Sequence, residues 1–238
     1  MISVVTFDLW NTLFTKKSYS EIRLDSLYNF LKKQDIPIST NIVENAYHSK
    51  FHFHEVTFED INFHHIYTKE RITRVFKELE LKIEDEEIEK LRLELESLMI
   101  NDPPLLKTGV TNTLEELAPD YQLALISNTG VTPGPIISQV LENYGILQYF
   151  DVTIYSDETG LFKPHPKMFE IPLNELNCKA ANAIHIGDMV ETDVKGANDF
   201  DMLSIWLNDS NEINTTDIEP DYEISQIYDA VPIIRSIS

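Results

Sequence analysis

The sequence predicts an α/β fold: a mostly parallel sheet covered by helices, with a separate all-helical lobe inserted near its start. Three observations lead there. An apolar, β-prone run, Val4-Val5-Thr6-Phe7, delivers Asp8 to a polar turn. From Pro103-Pro104 onward, strand and helix patterns alternate to the end of the chain. Between the two lies a long stretch whose apolar spacing is that of helices alone.

A chain of 238 residues can bury a substantial core and can hold one domain or two modest ones. It contains no apolar run long enough to span a bilayer, and it enters its first strand without a basic leader. Its single cysteine, Cys178, excludes an intrachain disulfide and suits a reducing compartment, so a cytoplasmic location is expected. Lys and Arg number 19 against 40 Asp and Glu, a formal charge of −21. That field repels nucleic acid and anionic membranes, so neither is expected as a partner, and a monomer or homodimer is expected. It also repels a phosphorylated ligand at long range. Any phosphate site must therefore be built locally, from a lysine, backbone amides and a cation.

In order, the first strand is followed by a helix over Ser20 to Gln34, with Leu24, Leu27, Tyr28 and Leu31 on one face, a capping box from Ser18 and Glu21, and Pro37 beyond its end. A second helix follows Ser39 or Thr40, burying Val43, Ala46, Tyr47 and Phe51. Thr57 and Asp60 signal a further start, before Ile61, His65, Ile72, Val75, Phe76 and Leu79. Ile88, Leu91, Leu95 and Leu98 stripe the last helix of this lobe, and the acid-rich run from Glu84 to Glu96 is its wet side. The spacing and glycine of an EF-hand are absent.

The alternating part then reads as a helix from Gly109 to Leu117, a strand at Gln122 to Ile126, a helix from Pro135 to Tyr144 and a strand at Val152 to Tyr155. A helix from Pro166 to Leu176, a strand at Ala183 to Ile186, a helix from Val194 to Phe200 and a strand at Ser204 to Leu207 follow. Tyr222 to Ile224 is an edge strand before a short helix, and Asn208 to Pro220 is a surface loop. Residues 1–15 and 103–238 thus form the α/β core. Residues 16–102 form a helical insertion at the end of the first strand, where it lies over the ligand-binding edge as a lid.

Four strand ends carry polar groups: Asp8, Ser127-Asn128, Lys163 and Asp188. A parallel sheet brings such ends to one edge. Alone, an aspartate there is a metal ligand, a base, a nucleophile or a turn cap.

The four segments together resemble the motifs of the haloacid dehalogenase-like hydrolase superfamily, over nearly the full chain. The first is Asp8-Leu9-Trp10-Asn11-Thr12-Leu13, the second Ser127-Asn128, and the third Lys163 in Gly160-Leu161-Phe162-Lys163-Pro164-His165-Pro166. The fourth is Gly187-Asp188-Met189-Val190-Glu191-Thr192-Asp193, followed by Gly196-Ala197. The resemblance implies a Rossmann-like three-layer sandwich with a four-helix bundle-like cap. It implies that Asp8 is the nucleophile of a phosphate-monoester hydrolase working through an aspartyl-phosphate. Mg²⁺ would lie against Asp8, Asp188 and the Trp10 carbonyl, with Asp193 supporting it from behind. Thr12, Ser127 and Asn128 would donate to phosphoryl oxygens, and Lys163 would supply positive charge.

One position departs from the pattern. Phosphatases of this family typically place an aspartate where Trp10 stands, to protonate the leaving alcohol and then activate water. Indole can do neither near neutral pH, and losing such proton transfer costs roughly 10²–10⁴-fold. Activated leaving groups should suffer least. An aromatic at this position is also found in 2-haloacid dehalogenases, which need no metal but use a cap arginine, for which Arg23 is the early candidate. A binding or regulatory protein with a vestigial site is the third reading. His52, His54, His64 and His65 have no metal-ligand spacing, His165 is expected to be a loop residue, and His185 a packed strand residue. Phe51, Phe53, Phe58, Phe63 and Tyr67 are expected to build the cap's own core.

Overall fold

The computed structural model describes residues 1–51 and 62–238. Six strands form one parallel sheet: β1 (Val4–Phe7), β2 (Gln122–Ser127), β3 (Val152–Tyr155), β4 (Ala183–Gly187), β5 (Leu203–Leu207) and β6 (Tyr222–Ile224). Their order is β3-β2-β1-β4-β5-β6, every neighbouring pair parallel. β1 is central, and the chain winds outward from it first through β2 and β3, then through β4 to β6. Ligands of such sheets bind where the strand order reverses, outside the carboxyl ends, which here means between β1 and its flanking strands.

The buried apolar runs explain the placement. β1 and β4 are buried along their whole length, as a strand covered on both faces must be. One face packs Val5, Phe7, Leu123 and Leu125 against α5 (Val110–Leu117), α6 (Gly134–Asn143) and α10 (Ala230–Ile237). The other packs Val4, Ala124 and Ile126 against α8 (Lys167–Glu175) and Ala197 of α9 (Lys195–Asp199). Alternate residues of one strand thus feed opposite cores.

After β1 the chain enters α1 (Ser20–Lys33), α2 (Thr40–Lys50), α3 (Thr68–Glu78) and α4 (Asp85–Asn101). Leu27, Leu31, Val43, Tyr47, Ile72, Val75, Leu91 and Leu95 close a second hydrophobic core. The two connections to the sheet pair with each other, through Thr15 N to Leu105 O and Lys107 N to Leu13 O, each 2.8 Å. A second attachment joins the lobe to the segment that follows β3. His65 N donates to Gly160 O at 2.8 Å and Phe162 N to Phe63 O at 2.6 Å, forming a strap between the cap and the core.

Several local expectations are corrected. Ser18 accepts from the Ser20 amide at 3.3 Å, and α1 has no side-chain cap, because Tyr19 occupies the cap position and is buried. α3 begins at Thr68, so His65 precedes the helix and serves the strap. The start signal at Thr57 and Asp60 lies outside the described residues, as do His52, His54, Phe53 and Phe58. The helix expected from Val194 is α9, shorter at both ends and preceded by a π-helical turn over Val190–Val194. A single helical turn, α7 (Ser156–Thr159), follows β3 directly.

Candidate active site

Asp8 leaves β1 with its amide still in the sheet, donating to Ile186 O of β4 at 2.8 Å. The turn beyond folds tightly under Leu9, whose carbonyl accepts from the amides of Thr12, Leu13 and Phe14. Asn11 adopts φ 57° to make that turn. Asn is among the few residues that tolerate a left-handed backbone.

Lys163, from the loop after β3, is 1% exposed, and its ammonium donates to Asp8 Oδ1, Asp193 Oδ1 and Ile126 O, each at 2.7 Å. An ammonium has three donors, and all three are used. Lys163 is thereby a fixed point charge between two carboxylates. Asn128 holds its backbone from both sides, accepting from Lys163 N at 2.7 Å and donating to Lys163 O at 3.1 Å. The Asn128 carbonyl and one of its two amide protons are thus engaged in positioning Lys163, and the second amide proton is not used by these contacts.

Asp193 sits in the π-helical turn. Its carboxylate takes Lys163 and His185 Nε2 (3.2 Å) on one oxygen and the Met189 amide (3.0 Å) on the other. Gly187 makes room for it: a Cβ there would come within 2.3 Å of Asp193 Cγ. His185 in turn lies between Asp193 and Thr6 Oγ1, at 2.7 Å from Nδ1. Burial lowers its pKa, and a neutral ring with its proton on Nε2 satisfies both neighbours.

Burial raises the pKa of Asp8 to about 6, and Lys163 offsets only part of that. Burial, followed by the negative charges of Asp8 and Asp193, raises Asp188 to about 7. Burial acts on Asp193 in the same direction, but Lys163 and His185 overcome it and hold it below the ordinary carboxylate range. The same pairing overcomes burial at Lys163 and raises its pKa. The cluster is thus one cation short of neutrality twice over: three carboxylates, one ammonium and a neutral imidazole.

Ligand oxygens of Asp8, Asp188 and Asp193 lie within 4.8 Å of one another. An all-carboxylate set with a surplus of negative charge suits a hard divalent cation such as Mg²⁺. Three protein donors already occupy Asp193, so Asp8 and Asp188 offer the freer oxygens to hold it. Beside them the hydroxyls of Thr12 and Ser127 are buried with no hydrogen-bond partner. Buried polar atoms are rarely left so, and two such hydroxyls near a carboxylate centre fit the oxygens of a bound oxyanion.

Trp10 is half-buried and packs on Phe14, ring centroids 6.0 Å apart. His165 accepts from the Lys167 amide at 3.2 Å, at the start of α8. Arg23 lies over the Tyr19 ring, 5.3 Å from its centroid. Asn11 and His185 are named in the sequence, one within the first motif and the other as a packed or hydrogen-bonded strand residue, but neither is assigned a site role there. For Asn11 the signal was present, an Asn in a tight turn. For His185 it was not, since nothing local marks a strand histidine as a partner of Asp193.

The chain belongs to the haloacid dehalogenase-like hydrolase family, whose model matches residues 2–201. It is 35% identical over 106 residues to a ribulose-1,5-bisphosphate 5-phosphatase of Halopiger xanaduensis, covering 44% of this chain and 43% of that one. It is 32% identical over 110 residues to a glyceraldehyde 3-phosphate phosphatase of Methanocaldococcus jannaschii, covering 45% and 48%. The chain thus spans about half the length of the curated relatives it matches. Over the whole of both chains it superposes on a 2-haloacid dehalogenase from Pseudomonas syringae, with a TM-score of 0.76 and 25% identity. Among the described residues no helix is long and apolar enough to cross a membrane.

Proposed function

We propose that this protein is a Mg²⁺-dependent phosphate-monoester hydrolase acting through a phosphorylated Asp8, with residues 16–102 as the lid over a core of residues 1–15 and 103–238. The observation that carries this reading is the pairing of an uncompensated carboxylate cluster with two orphaned buried hydroxyls. A haloacid needs no divalent cation. A phosphoryl group arrives with one and offers oxygens for Thr12 and Ser127 to donate to.

Asp8, Asp188 and the Trp10 carbonyl would hold the ion, which would neutralise the phosphoryl oxygens and the carboxylates facing them. An Asp8 oxygen attacks phosphorus and the ester P–O bond breaks, leaving the acyl-phosphate. Thr12 and Ser127 donate to the equatorial oxygens while Lys163 keeps Asp8 oriented. Asp193, Asn128 and His185 hold Lys163 and one another in place. The leaving alkoxide takes its proton from water, because Trp10 has none to give. Water then attacks the same phosphorus, releasing phosphate and restoring the Asp8 carboxylate.

Acetyl phosphate or p-nitrophenyl phosphate should be turned over with Mg²⁺ and not with EDTA, and Asp8→Asn should abolish it. Trp10→Asp should raise turnover of alkyl phosphates by roughly 10²-fold or more, and aryl phosphates less. Metal-independent activity on 2-chloropropionate would instead select the dehalogenase reading.

A further inference from the structure

An open groove of about 1100 Å³ is lined by Asp188, one of the three clustered carboxylates, by Asn11 of the nucleophile turn, and by Trp206 and Leu207 of β5. Thr15, Lys16 and residues 105–108, the two connections to the cap, make one wall, and the loop from Asn208 to Thr216 makes the other. We infer that this groove takes the alcohol part of the substrate, and that this part is uncharged, about nucleoside-sized and apolar on one face. The inference rests on the phosphatase reading and deepens it.

Size is the first argument. Small-molecule pockets run from about 300 to 1,000 Å³, so a three-carbon phosphate would leave most of this groove to water. Charge is the second. The lining has Lys16 and Lys107 against Asp188, Glu191, Asp209 and Glu212, and Lys107 is already paired with Asp209 at 2.5 Å. An anionic second group, such as another phosphate, meets a surplus of carboxylates there.

The third argument is the distribution of polarity. Leu105, Met189 and Ile213 are among the large apolar side chains left exposed, at 69%, 45% and 86%, and all three line the groove. Between them lie the hydroxyls of Thr108, Thr215 and Ser225. A ligand with an apolar face and a hydrogen-bonding edge satisfies both sets, whereas a compact polyol leaves the apolar rim wet.

The outer wall is formed before any ligand arrives. Asn208 Nδ2 donates to Glu212 O at 2.9 Å, Glu212 N returns to Asn208 Oδ1 at 2.8 Å, and Thr216 N donates to Asn214 Oδ1 at 2.9 Å. Less conformational freedom is therefore lost on binding. This loop lies beyond residue 201, where the family-model match ends.

The test uses the full chain with Mg²⁺, one acyl phosphate, acetyl phosphate, and two monoesters, glycerol 3-phosphate and uridine 5′-monophosphate. The wild-type protein should hydrolyse the uridine ester with kcat/KM at least about tenfold above the glycerol ester. Leu105→Asp with Ile213→Asp should remove about tenfold or more from the uridine ester, mostly through KM, and leave acetyl phosphate within about twofold. Both side chains are exposed, so an unchanged Tm is the folding control. Acetyl phosphate turnover without preference for the larger ester, or an equal loss on both in the variant, overturns the groove assignment alone. No turnover of acetyl phosphate by the wild-type protein overturns the phosphatase reading and this inference with it.

Discussion

Lys163 is the residue on which the site's charge arrangement turns. It is almost wholly buried, donates to two carboxylates and one carbonyl, and is gripped at both backbone atoms by Asn128. Removing one partner of a buried ion pair costs roughly 3–5 kcal/mol, because the other charge is left without compensation. Lys163→Met should therefore lower stability by that order and abolish turnover. Adding Asp8→Asn to it should restore part of the loss, which a double-mutant cycle by urea denaturation reads directly. The raised pKa values of Asp8 and Asp188, about 6 and about 7, carry a second expectation. A carboxyl raised on folding binds more protons folded than unfolded. Its favourable contribution is present in acid and is lost as pH rises through the folded value. Without metal, this cluster should therefore weaken the protein as pH rises from about 4 to about 7, and Mg²⁺ should stabilise it most above that range. The Mg²⁺-induced rise in Tm should be larger at pH 8 than at pH 5 and vanish in Asp188→Asn.

At the scale of elements, the strand ends and the strap set where these charges meet. Gly187 ends β4 where Asp193 must pack, so Gly187→Ala should displace the carboxylate that holds Lys163 and cost more than tenfold in kcat. The strap places His65 against Ser156, Nδ1 to Oγ at 3.0 Å, and burial lowers its pKa to about 4. A histidine kept neutral on folding binds fewer protons than the unfolded chain. Its contribution is complete above about pH 6.5 and falls away toward pH 4, at up to about 1.4 kcal/mol per pH unit. Acid should loosen the strap first, seen as early exchange of the His65 and Phe162 amides, and His65→Asn should flatten that dependence. The strap was not legible in the sequence, since Phe63, His65, Gly160 and Phe162 meet only through the tertiary fold. Much else was legible. β1, β2 and β4 are short apolar runs ending in Asp8, Ser127 and Gly187-Asp188, and a parallel sheet leaves such ends no place but one edge. Asn128 was legible as a site residue, but its partner was not: sequence places an amide at the edge without saying that Lys163 uses both its ends. The π-helical turn over Val190–Val194 was not legible, because residue periodicity does not reveal an added residue per turn.

At the scale of the whole molecule, the charge of −21 opposes the approach of the phosphate ester proposed as substrate. A phosphate monoester is a dianion near neutral pH, and it must approach through that field before the local arrangement can act on it. The opposing terms have different ranges. The global field acts through solvent and is screened over about 8 Å at physiological salt. The interactions among Lys163, Asp8 and Asp193 run over 2.7 Å inside a buried cluster and are screened little. Added salt should therefore help encounter without disturbing the chemistry. With Mg²⁺ held saturating, raising KCl from 10 to 200 mM should lower KM for a phosphate ester by about two- to fivefold and leave kcat nearly constant. Uridine, the neutral alcohol offered as a competitive inhibitor, should bind with an affinity nearly independent of salt, which separates electrostatic approach from groove binding. If KM instead rises with salt, attraction by Lys16 and the bound cation outweighs the net charge at the mouth of the site. Lys16→Gln would then remove part of that rise.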